Sequence, residues 1–265
     1  MSMSIIFFLL LSSCTSSVLS ADVNDGLVLL KIKEQLGNPQ ELSNLAEVYQ
    51  HCGGATFNFH GEIQCDNNGR IHYLTLLSIT ASAPFPEAIC DLTELEGLSL
   101  LSLYNLYGTI PPDLVHGQDA AISLNDNRLT GEIPKCYQWL PLHAISVRNN
   151  ELTGDPSFLF NKENIIGIDL SHNDFEFDLS NVEISKSLRS LYLGFNKIYG
   201  NIPQSIASAH ADYLIDLDLR NNNLCGEIPQ SQVAPWQPFE ASIFANNKCL
   251  CGSPLPPCQN PGPAP

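Results

Sequence analysis

Apolar and polar positions alternate in short runs that return every 23 to 24 residues along most of the chain. The recurring unit reads apolar-x-apolar-x-x-Asn-x-apolar-x-Gly, and x-Ile-Pro often follows it. The first apolar position of each copy falls at Leu74, Leu98, Ile122, Ile145, Ile168, Leu191 and Leu217. The glycine stands at positions 108, 131, 154, 200 and 226, with Phe177 in its place once. A register kept this long indicates a repeat architecture.

Each position of the unit predicts a structural role. Two apolar residues two apart point to the same side of a short strand, into a core. The asparagine amide can bond backbone groups that leave the sheet, and the glycine allows a positive φ. One unit buries its apolar edge only against its neighbours, so the units must stack. The pattern predicts an α/β repeat fold: a leucine-rich-repeat solenoid with a parallel sheet on its concave side.

Both ends of the chain depart from the repeat and predict caps. Residues 24–36 are expected to form a helix that starts at Asn24 or Asp25, ends near Gly37 and covers the first repeat. Cysteines replace the periodicity near the other end, and a Pro-rich tail follows. We expect an N-terminal cap at 21–69, about seven repeats at 70–229, and a C-terminal cap with its tail at 230–265.

The first twenty residues are predicted to be a secretory signal peptide. Their apolar run, Ile5 to Leu11, is too short to cross a bilayer, and small residues follow it up to residue 20. A buried N-terminal strand is the alternative. Of the nine cysteines, Cys14 would leave with the signal, and six of the other eight lie near the two ends. This placement favours terminal disulfides in a secreted protein.

Charge and motifs exclude several function classes. With 28 acidic and 12 basic residues the formal charge is −16, which disfavours nucleic acid and anionic polysaccharide as partners. We find neither a nucleophile elbow, nor a zinc-protease motif, nor a phosphate loop, and no Cys/His pairs recur at metal-ligand spacing. The prediction is a non-enzymatic monomer without cofactor or metal. Cys90 and Cys136 lie two repeats apart, about 10 Å, so we expect them to stay thiols.

Longer motifs resemble the polygalacturonase-inhibiting proteins of plants. The stretch from Ile168 through Asp-Leu-Ser-His-Asn-Asp-Phe-Glu-Phe is similar to one of their repeats, and Asn247-Lys-Cys-Leu-Cys-Gly-Ser-Pro-Leu-Pro-Pro-Cys258 to their C-terminal cap. Family members have more repeats, so a central run is missing here. The resemblance implies disulfides between Cys52 and Cys65, Cys225 and Cys249, and Cys251 and Cys258. It also implies inhibition of a microbial polygalacturonase at the plant cell wall.

The outward strand positions are the candidate site for a protein partner on the concave face. Tyr192 and Phe195 are aromatic where a solvated strand favours polar residues, and exposed aromatics beside arginine are typical of interfaces. The remaining candidates are Arg148, Asn149, Asp169, Ser171, His172, Asp218 and Arg220. The alternatives are a merely solvated face and aromatics that pack on each other. Two other functions stay open: recognition of a receptor or peptide, and ice binding.

Overall fold

The computed structural model describes residues 24–45, 49, 56–57, 60–80, 82–117, 119–212, 214–230 and 240–258. The predicted signal peptide and the tail after residue 258 lie outside these ranges. Among the described residues, no helix is both long and apolar enough to cross a membrane. The chain divides into two compact units, residues 1–152 and 153–265.

The first unit begins with helix α1 (Asp25–Gln35), which confirms the predicted N-terminal helix. Asn24 caps its start, accepting a hydrogen bond from the backbone N–H of Gly26 at 2.9 Å. Gly37 ends it with a φ of 82°. The helix side chains that face the core are Val28, Leu29 and Ile32. Leu27 and Leu30, which share a second face, are exposed.

Two layers of strands form the rest of the first unit. The main sheet is ordered β1 (Thr56–Phe57), β2 (Gly61–Cys65), β3 (Ile71–Leu77), β5 (Gly97–Leu101), β7 (Ala120–Ser123) and β9 (Leu142–Ser146). The strands β1, β2 and β3 pair antiparallel, and β3, β5, β7 and β9 pair parallel. The second layer pairs β4 (Ser82–Pro84), β6 (Asn105–Gly108) and β8 (Arg128–Glu132) in parallel. Short 3₁₀ helices lie at Gln40–Leu42, Glu87–Asp91 and Lys135–Gln138.

The second unit repeats this arrangement with fewer strands. Its main sheet pairs β11 (Gly167–Asp169), β12 (Ser190–Tyr192) and β14 (Asp216–Asp218) in parallel. A second sheet pairs β13 (Tyr199–Gly200), β15 (Asn223–Glu227) and β16 (Cys249–Cys251), also in parallel. Helix α2 (Gln204–Asp212) connects the second sheet back to the main sheet, and 3₁₀ helices lie at Ser157–Leu159 and Ala241–Phe244. Strand β10 (Glu151–Thr153) lies where one unit ends and the other begins.

The repeat pattern locates the strands correctly. The predicted apolar position of every copy lies in a strand of a main sheet and is at most 4% exposed: Leu74, Leu98, Ile122, Ile145, Ile168, Leu191 and Leu217. The glycines of the register have φ between 81° and 99°. Phe177 replaces that glycine, and its ring is buried edge-on against Phe160, with centroids 6.0 Å apart. The fold is therefore the predicted leucine-rich-repeat fold.

The repeat asparagines hold neighbouring turns together. Asn222 donates to the carbonyls of Leu193, Leu219 and Arg220 at 2.9–3.3 Å. Its side-chain oxygen accepts the backbone N–H of Ile198 at 3.0 Å. The same scheme recurs at Asn127, Asn150, Asn196 and Asn247. The amide thus satisfies backbone groups at the point where each strand leaves the sheet.

A buried ion pair connects α1 to the first strands. The Asp25 side chain is 0% exposed and pairs with Arg70, whose Nε lies 3.1 Å from Oδ1. Its other oxygen accepts the backbone N–H of Ile71 at 2.7 Å. The carboxylate raises the pKa of the Arg70 guanidinium through their hydrogen bond. Cap and sheet are therefore joined by charge as well as by apolar packing.

Two of the three disulfides that the family resemblance implies are present in the described residues. Disulfides join Cys225 to Cys249 and Cys251 to Cys258. Cys65 is also disulfide-bonded, and its expected partner, Cys52, lies outside the described residues. The other two cysteines that the sequence analysis considered, Cys90 and Cys136, are thiols, as predicted. Burial raises the pKa of the Cys90 thiol to about 11.

Candidate protein-binding face

The second unit brings most of the predicted residues together on the outer face of its main sheet. The register of the three strands sets Asp169, Tyr192 and Asp218 side by side. All three are half-buried. Parallel strands are about 4.8 Å apart, so the phenol ring lies between two carboxylates. Arg220 follows two residues after Asp218 and is exposed.

The ends of these strands bend in the same unusual way. His172 and Phe195 have φ of 56° and 60°, values that non-glycine residues seldom adopt. The two rings stack with centroids 4.1 Å apart and planes 12° from parallel. The guanidinium carbon of Arg220 lies 5.4 Å from the centre of the Phe195 ring, within reach of a cation–π interaction. Phe195 remains 38% exposed, so the stack still presents an aromatic surface.

Asp218 is held from two directions. Its Oδ2 lies 2.9 Å from Nε of Arg220, and its Oδ1 accepts the Arg220 backbone N–H at 3.1 Å. Burial raises the pKa of Asp218 despite these contacts, which act to lower it. The carboxylate lies directly above Gly194, where a Cβ atom would be 3.1 Å from its carbon and from both oxygens. No side chain at position 194 separates Asp218 from the sheet.

Tyr192 lies close to several carboxylates. Partial burial raises the pKa of its phenol, and the nearby charges of Asp216 and Asp169 raise it further. Asp216 also accepts a hydrogen bond from Ser190 on the neighbouring strand at 3.1 Å. Asp216 is an exposed member of this surface that was not among the residues predicted from the sequence. Its outward place in the strand, two residues before Asp218, was the available signal.

Ser171 was expected to face a partner, and that expectation is wrong. The residue is 4% exposed. Its hydroxyl donates to Oδ1 of Asp169 at 2.6 Å, and its backbone N–H donates to the same oxygen at 2.9 Å. The short side chain reaches back to its own strand, because the hydrogen bond from its hydroxyl satisfies it without solvent. Ser171 therefore fixes Asp169 and offers little surface of its own.

Arg148 and Asn149 belong to the first unit. Both are exposed, as predicted. The backbone N–H of Arg148 donates to Oδ1 of Asn125 at 2.9 Å, and Asn149 donates to Oδ1 of Asp126 at 2.9 Å. Asn149 has a φ of 55°, so it occupies the strand-end position that His172 and Phe195 take in the second unit. Its side chain is engaged by its neighbour and contributes a polar surface.

The composition of this face is aromatic, basic and acidic. In the described ranges, no group of three or more His, Cys, Asp or Glu side chains could hold a metal ion. On the second unit, Asp218 pairs with Arg220, and Asp216 accepts a hydrogen bond from Ser190. The exposed ring of Phe195 and the half-buried ring of Tyr192 lie among them. Aromatic and arginine side chains in partly desolvated surroundings are typical of the centres of protein interfaces.

Parallel strands, one short repeat per turn and asparagine side chains at each strand end define a leucine-rich-repeat protein. The Leucine Rich Repeat family model matches residues 187–209 and 213–231, which include strands β12 and β14. A plant ice-binding protein of known structure superimposes with a TM-score of 0.51 at 25% identity, over 90% of this chain and 98% of that chain. Terminal disulfides fit an extracellular protein of this class.

The closer assignment comes from whole-length relatives. Polygalacturonase inhibitor 1 of Arabidopsis thaliana is 30% identical over 334 residues, which cover 95% of this chain and 96% of the relative. Polygalacturonase inhibitor 3 of Phaseolus vulgaris is 45% identical over 120 residues, 45% of this chain but only 34% of that protein. The chain belongs to the polygalacturonase-inhibitor family of leucine-rich-repeat proteins. The alignment runs over 334 positions against a chain of 265 residues, so this relative has residues that the chain lacks.

Proposed function

We propose that this protein inhibits a microbial polygalacturonase by docking the outer sheet face of its second unit against the enzyme. Docking would block the approach of pectin to the enzyme's active site. The observation that carries the proposal is the exposed stack of His172, Phe195 and Arg220 at the strand ends. The family supports the target, because relatives across their whole length are named polygalacturonase inhibitors.

The stack is suited to binding because its parts are already ordered. A side chain that must be immobilised on association costs binding energy, whereas one that is already held does not. Phe195 is held by the His172 ring, and Arg220 by Asp218. Covering the exposed part of Phe195 would then yield apolar burial at low entropic cost. Such anchors usually contribute about 2 kcal/mol or more, a factor of roughly 30 in affinity.

The charge of the chain adds long-range attraction toward a basic partner. The formal charge of −16 raises the association rate with a positively charged protein and lowers it with an acidic one. Asp169 and Asp216, both near Tyr192, carry this charge onto the face itself. The partner that this surface fits is a basic extracellular protein with an apolar contact patch. Pectin, a polyanion, is disfavoured as a direct ligand.

The test is inhibition of pectin hydrolysis by a panel of fungal polygalacturonases at mildly acidic pH. We expect dose-dependent inhibition that Phe195→Ala weakens by roughly 30-fold, with a smaller loss for Tyr192→Ala. Tyr199→Ala is the matched control, since Tyr199 is 45% exposed but lies in β13, outside the main sheet. Circular dichroism establishes that each variant is folded. Absence of inhibition by folded protein across the panel would overturn the proposal and redirect the search to plant receptors.

The first unit does not favour ice binding. A surface that binds ice needs a flat, regular array of similar side chains. One exposed row along its second layer sets Pro84, Tyr107 and Arg128 in register, three residues that differ in size and charge. Normal growth of ice crystals in a recrystallisation assay is the expected result.

A further inference from the structure

We infer that Gly194 and Asp218 are positioning residues that hold Arg220 in place for recognition, although neither forms much of the exposed surface. The Asp218 carboxylate occupies the space above Gly194 and from there fixes the guanidinium against Phe195. The inference rests on the proposed function for its role in binding. The geometry itself can be tested without any partner.

The absence of a side chain at Gly194 leaves the space that the Asp218 carboxylate occupies. A Cβ atom there would meet the carboxyl carbon and both oxygens of Asp218 at 3.1 Å. Contacts this short are rare, so an alanine would push the carboxylate away by a few tenths of an ångström. A branched side chain such as valine would expel it. Gly194 is buried, and its backbone conformation gives no reason of its own for a glycine. The space for Asp218 supplies that reason.

Asp218 holds Arg220 through two contacts. One carboxylate oxygen accepts the backbone N–H and the other pairs with Nε, at 3.1 and 2.9 Å. The Asp218 side chain is only 16% exposed, whereas that of Arg220 is 48% exposed. An exposed arginine ordinarily samples many rotamers, and a paired Nε removes most of that freedom. The more buried Asp218 side chain therefore determines where the more exposed Arg220 side chain points.

The guanidinium of Arg220, once fixed, offers donors to a partner beside an aromatic ring. It lies 5.4 Å from the centre of the Phe195 ring, and that ring is stacked on His172. With Nε engaged, the two Nη groups remain as donors for a second carboxylate. The part of a partner that fits here is an acidic side chain next to an apolar one. The partner as a whole would be basic, so an acidic side chain at this point would reverse its charge locally. Its pairing with Arg220 would fix how the two proteins align when they dock.

The experiment compares Gly194→Ala, Gly194→Val, Asp218→Ala and Asp218→Asn by NMR of the Arg220 Nε–H. In the native protein we expect slow exchange of this proton with solvent. Exchange should accelerate at least tenfold in Gly194→Val and Asp218→Ala, less in Gly194→Ala, and least in Asp218→Asn, which keeps an oxygen acceptor. The matched control is Asp174→Ala, which removes an exposed ion pair with Lys197. Exchange in Asp218→Ala and Gly194→Val that equals the native rate would overturn the inference.

Inhibition separates this inference from the proposed function. If the native protein inhibits a polygalacturonase, Asp218→Ala and Arg220→Ala should each weaken it at least tenfold, and the double variant should lose no more than either alone. Fully additive losses, or undiminished inhibition in Asp218→Ala, would overturn the positioning role while inhibition itself stands. If the native protein inhibits nothing, the proposed function fails, and the NMR comparison still decides whether Gly194 and Asp218 hold Arg220.

Discussion

Replacing Asn222 by alanine is the sharpest test of how the repeats are held together. The Asn222 side chain makes four hydrogen bonds, and the residue is 7% exposed. Alanine removes all four. The cost depends on which backbone groups lose their last partner, because a buried group left unpaired costs more than a lost bond between exposed groups.

The carbonyl groups keep other donors after this change. Leu193 still accepts from Asn196, Leu219 from Asn247, and Arg220 from the backbone N–H of Phe195. Only the backbone N–H of Ile198, a residue that is 0% exposed, loses the hydrogen bond it makes to the Asn222 side chain. One orphaned buried donor costs about 1–3 kcal/mol, and the small void left by the amide adds about 1 kcal/mol. The expected loss is thus about 2–4 kcal/mol.

Urea denaturation, followed by circular dichroism, measures this loss, and amide exchange at Ile198 locates it. The control is Asn223→Ala. Asn223 is exposed and donates one long bond, 3.3 Å, to Lys197, so we expect a change within about 0.5 kcal/mol. Asn222→Asp adds a second check, because a buried carboxylate facing carbonyls has a raised pKa. Its folded form is stable at low pH and loses stability as pH rises through that pKa. Equal stabilities for Asn222→Ala and Asn223→Ala would refute the reasoning.

Three further predictions concern the caps and the thiol. Asp25→Ala leaves Arg70 partly buried without its partner, and denaturation should show a loss of about 3 kcal/mol; a loss below 1 kcal/mol would contradict the buried pair. Cys90, with a pKa of about 11, has roughly one thiolate in a thousand at pH 8, so iodoacetamide should label it slowly until the pH rises or the chain unfolds. Serine at both Cys225 and Cys249, which are 24 residues apart, should cost about 3.5 kcal/mol, more than loss of the shorter C-terminal disulfide.

Strand positions, the helical cap and the turns were predictable because burial and backbone conformation repeat with the sequence. Ile168 and Leu217 are apolar at a fixed spacing, and that spacing alone places them inside. Gly200 has a positive φ at the same point of its repeat as Gly131. These features depend on the local chain and on a neighbour of the same design, so a pattern is enough to predict them.

The contacts of the candidate protein-binding face were not predictable in the same way. Ser171 is buried because its hydroxyl donates a hydrogen bond back to Asp169. The spacing of residues in the sequence does not reveal which rotamer this serine adopts. The stack of His172 on Phe195 depends on two left-handed strand ends with aromatic side chains in adjacent repeats. The role of Gly194 arises only when Asp218 is placed beside it by the register. The last two features require side-chain packing across strands that are more than twenty residues apart in sequence.

A leucine-rich-repeat fold can be kept in a chain shorter than its relative for a reason that separates folding from recognition. In a stacked solenoid each repeat contacts only its neighbours. The Asn222 bonds show this range, since they reach Leu193 and Ile198, one repeat back, and no further. Removing whole repeats therefore recreates the same contacts at the junction, and stability changes little per interface. Partner recognition is not a sum of contributions from equivalent repeats, because it depends on a few side chains on a surface of fixed length. Asn222→Ala should therefore impair folding and, through it, inhibition, whereas Phe195→Ala should impair inhibition of a fully stable protein.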